Sequence, residues 1–144
     1  MPKYHVFISH AWSYSDRYTG VINLLNIAKT KVKNFDYVDY SVPEHDPAVD
    51  PNTEVGERKL TALLQAQIAR ASSVIVPAGM YVNNRFWIQK EIDLAKHGFN
   101  YPKRLIAIRR RGQQRTPQDL IEIADQVVSW SSTSLARAVA DIPE

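Results

Sequence analysis

Hydrophobic positions along the chain follow two different periods. Five short apolar runs rich in β-branched and aromatic residues predict strands, and between them apolar residues recur every three or four positions, as on one face of a helix. The predicted strands cover residues 4–9, 35–40, 73–78, 104–108 and 126–130. Helices are predicted at 15–29, along the stripe Leu60, Leu63, Leu64, Ile68 and Ala71, from Asn83 or Asn84 to Gly98, after Thr116 and Pro117, and at 131–140.

This alternation of strands and helices predicts an α/β fold. The expected architecture is a flavodoxin-like three-layer sandwich, a five-stranded parallel sheet in the order 2-1-3-4-5 with helices on both faces. One domain spans residues 1–144. Ligands of such sheets bind outside the carboxyl ends of the strands, so the segments that follow the strands are expected to form the functional site.

One carboxylate interrupts the apolar face of the helix that follows the third strand. Ile88, Ile92 and Ala95 form its buried stripe, and Glu91 falls on the edge of that stripe. Trp87 lies one turn earlier on the same side, nearer the ligand edge. The position of Glu91 therefore suggests a functional carboxylate.

Two less specific interpretations stay open for these residues. Glu91 can be a helix-edge residue that reaches solvent or pairs with Lys96 or Arg85. Trp87 can be part of the core without contacting any ligand.

Composition narrows the class of protein. The 144 residues are 44% hydrophobic, which is enough for a single core, and they include no cysteine, which excludes disulfides and thiolate chemistry and fits a cytoplasmic location. No apolar stretch approaches the ~20 residues of a membrane span. The formal charge is +3, and the cluster "RRRGQQR" at 109–115 can attract phosphates or form a solvated basic loop.

Several familiar sites are missing from the sequence. There is no P-loop, no Gly-rich dinucleotide fingerprint and no spacing of His, Asp or Glu typical of a metal site, so we expect no bound metal. A phosphate-accepting receiver domain is excluded as well. It needs an acidic pair after the first strand, an aspartate at the end of the third and a lysine after the fifth. The residues at those three places are Ser9 and His10, Pro77 and Ala78, and Trp130 and Ser131.

Two blocks of sequence resemble a Toll/interleukin-1 receptor (TIR) domain. "HVFISHAWSYSD" resembles the first strand of bacterial members, which often ends in FISH, and "SVIVPAGMYVNNRFWIQKEIDLA" resembles the strand, loop and helix that carry W-x-x-x-E, matched by Trp87 and Glu91. The nearest group is the TIR-like type of the Thoeris antiphage-defence systems. The long, acidic and proline-rich segment 41–56 departs from the shorter loop of many TIR domains.

The resemblance implies an enzyme that cleaves the bond between nicotinamide and ribose in NAD. Glu91 would be the catalytic residue and Trp87 would shape an aromatic wall around the substrate. The expected product is ADP-ribose or a cyclic isomer that acts as an immune signal. NAD is then a substrate, no cofactor is needed, and the expected partners are other TIR domains and a separate effector protein that senses the product.

Further substrate-binding residues are expected at the same edge from their places in the predicted fold. These are Phe7, Ser9, His10 and Trp12, across the crevice from Glu91, and Arg109 and Arg111, which follow the fourth strand and would meet the pyrophosphate.

Two rival functions are also compatible with the sequence. One is a non-catalytic TIR module that binds other TIR domains, with Glu91 in a structural salt bridge. The other is a nucleic-acid binder or nuclease that uses the arginine cluster, but its candidate acids, Asp39, Glu44, Asp46 and Asp50, all lie on one segment. We therefore expect neither nucleic acid nor a membrane as a partner.

Overall fold

A computed structural model of the protein describes residues 3–9, 16–40, 53–78, 85–100, 102–109 and 118–140. The strands are β1 Tyr4–Ile8, β2 Tyr37–Asp39, β3 Ser73–Pro77, β4 Arg104–Ile108 and β5 Gln126–Val128. The helices are α1 Asp16–Lys31, α2 Glu54–Arg70, α3 Arg85–His97, α4 Gln118–Ile123 and α5 Ser132–Ala140.

The five strands form one parallel sheet in the order β2-β1-β3-β4-β5. This confirms the predicted flavodoxin-like α/β fold. All five residues of the central strand β3 are buried, because β1 and β4 flank it and helices cover both of its faces. The uninterrupted apolar run of β3 reflects this position.

Two separate hydrophobic cores lie on the two faces of the sheet. On one face, α2, α3 and α4 pack on the strands, and Phe7 of β1 belongs to this core. On the other face, α1 and α5 pack against Val6 and Ile8, the neighbours of Phe7 in β1. Successive side chains of a strand point to opposite faces, so the alternation along β1 assigns Phe7 and Ser9 to the face covered by α2 and α3.

The two edge strands are shorter than the sequence predicts. β2 covers three residues where 35–40 was expected, and β5 ends at Val128 where Trp130 was expected. Phe35 is buried ahead of β2, and its ring stacks on those of Tyr4 and Tyr37, with ring centroids 5.7 and 6.4 Å away. Its aromatic character therefore reflects tertiary packing rather than pairing in the sheet.

Local interactions account for the helix ends. The turn after α1 contains Asn34 with φ 63°, a left-handed conformation that asparagine tolerates better than most residues. At the start of α2, the Thr53 hydroxyl accepts a hydrogen bond of 3.0 Å from the Gly56 amide. α3 ends just before Gly98, as predicted, and the Gly98 amide donates to the Leu94 carbonyl at 2.9 Å.

Candidate active site

The carboxyl ends of the parallel strands meet at one edge of the sheet, which we call the ligand edge. Ser9 follows β1 there, Ala78 follows β3, and Arg109 follows β4. α3 begins at Arg85, between β3 and β4, so its first turns lie at this edge and its last turn lies towards the opposite one. The ligand edge thus brings together residues from distant parts of the sequence.

Glu91 is buried on the inner side of α3. Only 1% of its surface is exposed, and its neighbour Ile92 is fully buried in the core. Asp93, on the opposite side of the helix, is exposed and accepts a hydrogen bond of 3.0 Å from Gln89. The interpretation of Glu91 as a solvent-reaching residue is therefore wrong.

Ser9 meets Glu91 across the interface between the sheet and α3. The Ser9 hydroxyl donates a hydrogen bond to Oε2 of Glu91, and the side chain of Ser9 is fully buried. The Ser9 amide also donates to the Ile75 carbonyl of β3 at 2.8 Å, which fixes its backbone to the centre of the sheet. The carboxylate is thus held by a donor mounted on a rigid element.

The structure gives the positions of three more of the predicted site residues. Phe7 is fully buried in the same core as Ile92, beneath the ligand edge. Arg109 is exposed at that edge, and its amide donates to the Val128 carbonyl at 2.9 Å. Trp87 lies in the first turn of α3, one turn before Glu91. Substrate contacts by all three stay predictions.

Three further predicted site residues, His10, Trp12 and Arg111, lie outside the described residues, as does the predicted start of the third helix at Asn83 or Asn84.

A polar network that the sequence did not indicate anchors the other half of α3. Lys96 donates to Oδ2 of Asp125 at 2.7 Å, and the Leu105 amide of β4 donates to the same oxygen at 2.7 Å. Lys96 is thus engaged by Asp125, 29 positions away. Burial alone would raise the pKa of the Asp125 carboxyl, but the hydrogen bonds from Lys96 and Leu105 outweigh it and hold that pKa below its ordinary value.

A cavity of about 280 Å³ lies between α2 and α3, lined by Arg58, Thr61, Ala62, Gln65 and Lys90. It does not include Glu91, which faces the sheet while the cavity opens between the two helices. We therefore place the candidate site at the buried carboxylate, because a cleft without a reactive group explains no chemistry.

The described ranges contain no cluster of three or more His, Cys, Asp or Glu side chains able to hold a metal ion. Over the same ranges, no helix combines the length and the apolar character needed to cross a membrane.

Comparison with known proteins identifies a family for this chain. The family model described as the Thoeris protein ThsB, TIR-like domain, matches residues 7–115, which include both Ser9 and Glu91. A search of curated proteins finds no match. Among solved structures, a diflavin flavoprotein A3 from Nostoc sp. is 14% identical, with a TM-score of 0.42, over 96% of this chain and 93% of that chain. That similarity is too weak to support an inference about function.

Proposed function

The chain belongs to the family of Thoeris ThsB TIR-like domains, and from this premise we propose that it cleaves the nicotinamide–ribose bond of NAD with Glu91 as the catalytic carboxylate. The observation that carries the proposal is the burial of Glu91 at the ligand edge, hydrogen-bonded by Ser9. Burying an ionisable group costs free energy, so a carboxylate in this position suggests a role that a solvent-facing glutamate would not need.

A single carboxylate is sufficient for this reaction. When the bond between C1′ of the ribose and the nicotinamide nitrogen breaks, the electron pair leaves with nicotinamide, which departs as a neutral molecule and needs no general acid. The positive charge that develops on the ribose is stabilised by the Glu91 carboxylate, as in other oxocarbenium-like transition states. An apolar surrounding strengthens this interaction, because the field of the carboxylate is less screened than in water.

The acceptor that captures the ribosyl cation determines the product. Water gives ADP-ribose and releases one proton to solvent. An adenine nitrogen or a ribose hydroxyl of the same molecule gives a cyclic isomer. A hydroxyl acceptor likewise loses its proton to solvent when the new bond forms. In either case the product would serve as the antiphage signal that a separate effector senses, and the absence of cysteine fits a cytoplasmic setting.

The burial of Glu91 also bears on activation. With 1% of the residue exposed, a ribose can contact the carboxylate only after the atoms that cover it move. We therefore expect a slow basal rate that rises when TIR–TIR contacts open the site. Specific activity should then increase with protein concentration.

A second candidate is a non-catalytic module that binds other TIR domains. The same observation is compatible with it, because a buried carboxylate that is hydrogen-bonded across two elements can hold those elements together without taking part in any reaction. Turnover of NAD distinguishes the two functions.

The test is to incubate the purified full chain with NAD over a range of protein concentrations, with and without a crowding agent. Liquid chromatography with mass detection then separates nicotinamide, ADP-ribose and cyclic isomers. The proposal predicts nicotinamide release with a specific activity that rises with protein concentration. Absence of release at every concentration, with the fold intact by circular dichroism, would favour the binding module.

A further inference from the structure

Ser9 contacts the candidate catalytic group from the side of the sheet. Its hydroxyl donates to Glu91, its amide is bonded to Ile75 at 2.8 Å, and its side chain is fully buried. The donor therefore lies directly after β1 and is bonded to β3, while the acceptor lies on α3, 82 positions away in sequence. The hydrogen bond joins the two elements at the ligand edge.

This geometry has two physical consequences for Glu91. A glutamate side chain has several rotatable bonds, and a donor fixed to the sheet selects one orientation of its carboxylate. Burial disfavours the charged form of a carboxyl, and a hydrogen bond donated to the carboxylate favours it. The fixed orientation and the donated hydrogen bond therefore both suit a carboxylate that must be ionised and directed at the ribose when positive charge develops there.

We propose that Ser9 is a positioning residue for NAD cleavage, which acts through Glu91 rather than by binding the substrate. Its hydroxyl holds the carboxylate in the orientation that the reaction uses and favours its ionised form. This inference rests on the proposed function, and it differs from the expectation from sequence that Ser9 lines the substrate crevice.

The sheet offers a matched control. Ser73 of β3 is also buried, but its hydroxyl has no hydrogen-bond partner in the part of the chain that the structure describes. It lies at the start of β3, opposite Val6, and so lies away from the ligand edge. Ser73→Ala removes the same atom from the same sheet without removing a donor from Glu91.

The first readout is steady-state kinetics of NAD cleavage as a function of pH. For Ser9→Ala we expect kcat to fall about tenfold near neutral pH, as for loss of a hydrogen bond to a charged group, with KM within about twofold of native. The deficit grows as the pH falls, because loss of the donor raises the pKa of the Glu91 carboxyl relative to the native protein. Ser73→Ala keeps the native kcat and pH profile.

The opposite pattern overturns the inference. A folded Ser9→Ala protein with native kcat and pH profile leaves Ser9 a structural residue, and a raised KM with native kcat makes it a substrate-binding residue. If Ser9→Ala does not fold, Ser9→Cys keeps the side-chain volume with a much weaker donor and is judged by the same criteria.

The second readout needs no turnover. Carbon-13 NMR of the Glu91 carboxyl, assigned by its disappearance in Glu91→Gln, reports the midpoint of its titration. A higher midpoint in Ser9→Ala than in the native protein supports the positioning role, and equal midpoints contradict it. If Glu91→Gln still cleaves NAD, the proposed function fails, while the titration still decides whether Ser9 stabilises the charged carboxylate.

Discussion

Glu91 could be recognised from sequence because its anomaly is local. The residues that define the apolar stripe lie within one helix, so a carboxylate on that face is visible from spacing alone. Its hydrogen bond to Ser9 could not be predicted in the same way, since that contact depends on β1 and α3 meeting in the fold. The pairing of Lys96 with Asp125 was missed for the same reason.

At this scale the Asp125 network gives a pH-dependent prediction. The folded state holds the pKa of Asp125 below its ordinary value, so the resulting stability is present above the unfolded pKa of about 4 and is lost as the pH falls through the folded value. Asp125→Asn should lower the free energy of unfolding by about 1 kcal/mol at pH 7, a modest amount because 44% of the Asp125 side chain is exposed.

Urea denaturation at pH 7 and in steps down to about pH 3 measures this difference. The gap between the native protein and Asp125→Asn should shrink with decreasing pH. Asp93→Asn, which neutralises an exposed carboxylate on α3, should show little change in stability at neutral pH. A gap of constant size across the pH range would contradict the account.

At the scale of elements, the order and type of strands and helices followed from the sequence because each core-facing pattern is periodic. The boundaries of the two edge strands could not be predicted from the sequence, because Phe35 and Trp130 pack against side chains of other elements and do not belong to β2 or β5. Packing also explains a feature of α1 that helix propensity does not, namely a glycine in the interior of the helix. Helix propensity alone favours alanine there by about 1 kcal/mol.

Gly20 illustrates how packing can reverse that preference. A Cβ added at Gly20 would lie 2.7 and 2.9 Å from two ring carbons of Trp130. We expect Gly20→Ala to lower the free energy of unfolding by about 1 kcal/mol, because the ring must shift. In a Trp130→Ala background, the same change should instead stabilise the protein by about 1 kcal/mol. Chemical denaturation of the four proteins gives both values, and stabilisation in both backgrounds would refute the steric explanation.

At the scale of the whole molecule, the parallel sheet brings the ends of distant strands to one edge. That arrangement was predictable, since alternating strands and helices allow few topologies. The near-complete burial of Glu91 was not predictable, because its exposure depends on how α3 packs against β1. The topology also places Arg109, after β4, at the same edge as Glu91.

The position of Arg109 gives a prediction about substrate affinity. Replacing Arg109 and Arg111 together by Ala should raise the KM for NAD about tenfold with little change in kcat, because the pyrophosphate lies away from the bond that breaks. The control is the double change of Arg70 and Arg137 to Ala. Both are exposed in the last turns of α2 and α5, away from the ligand edge, so the same net charge is removed. Equal effects of the two pairs would reduce the role of Arg109 and Arg111 to bulk charge.

The proposed function depends on one group, the buried carboxylate of Glu91. The most direct test compares nicotinamide release by the native protein, Glu91→Gln and Asp93→Asn at equal concentration and with the fold verified. Glu91→Gln preserves side-chain shape but removes the negative charge, so we predict a loss of about a hundredfold or more in rate, while Asp93→Asn keeps the native rate. A folded Glu91→Gln protein that releases nicotinamide at the native rate would contradict the account.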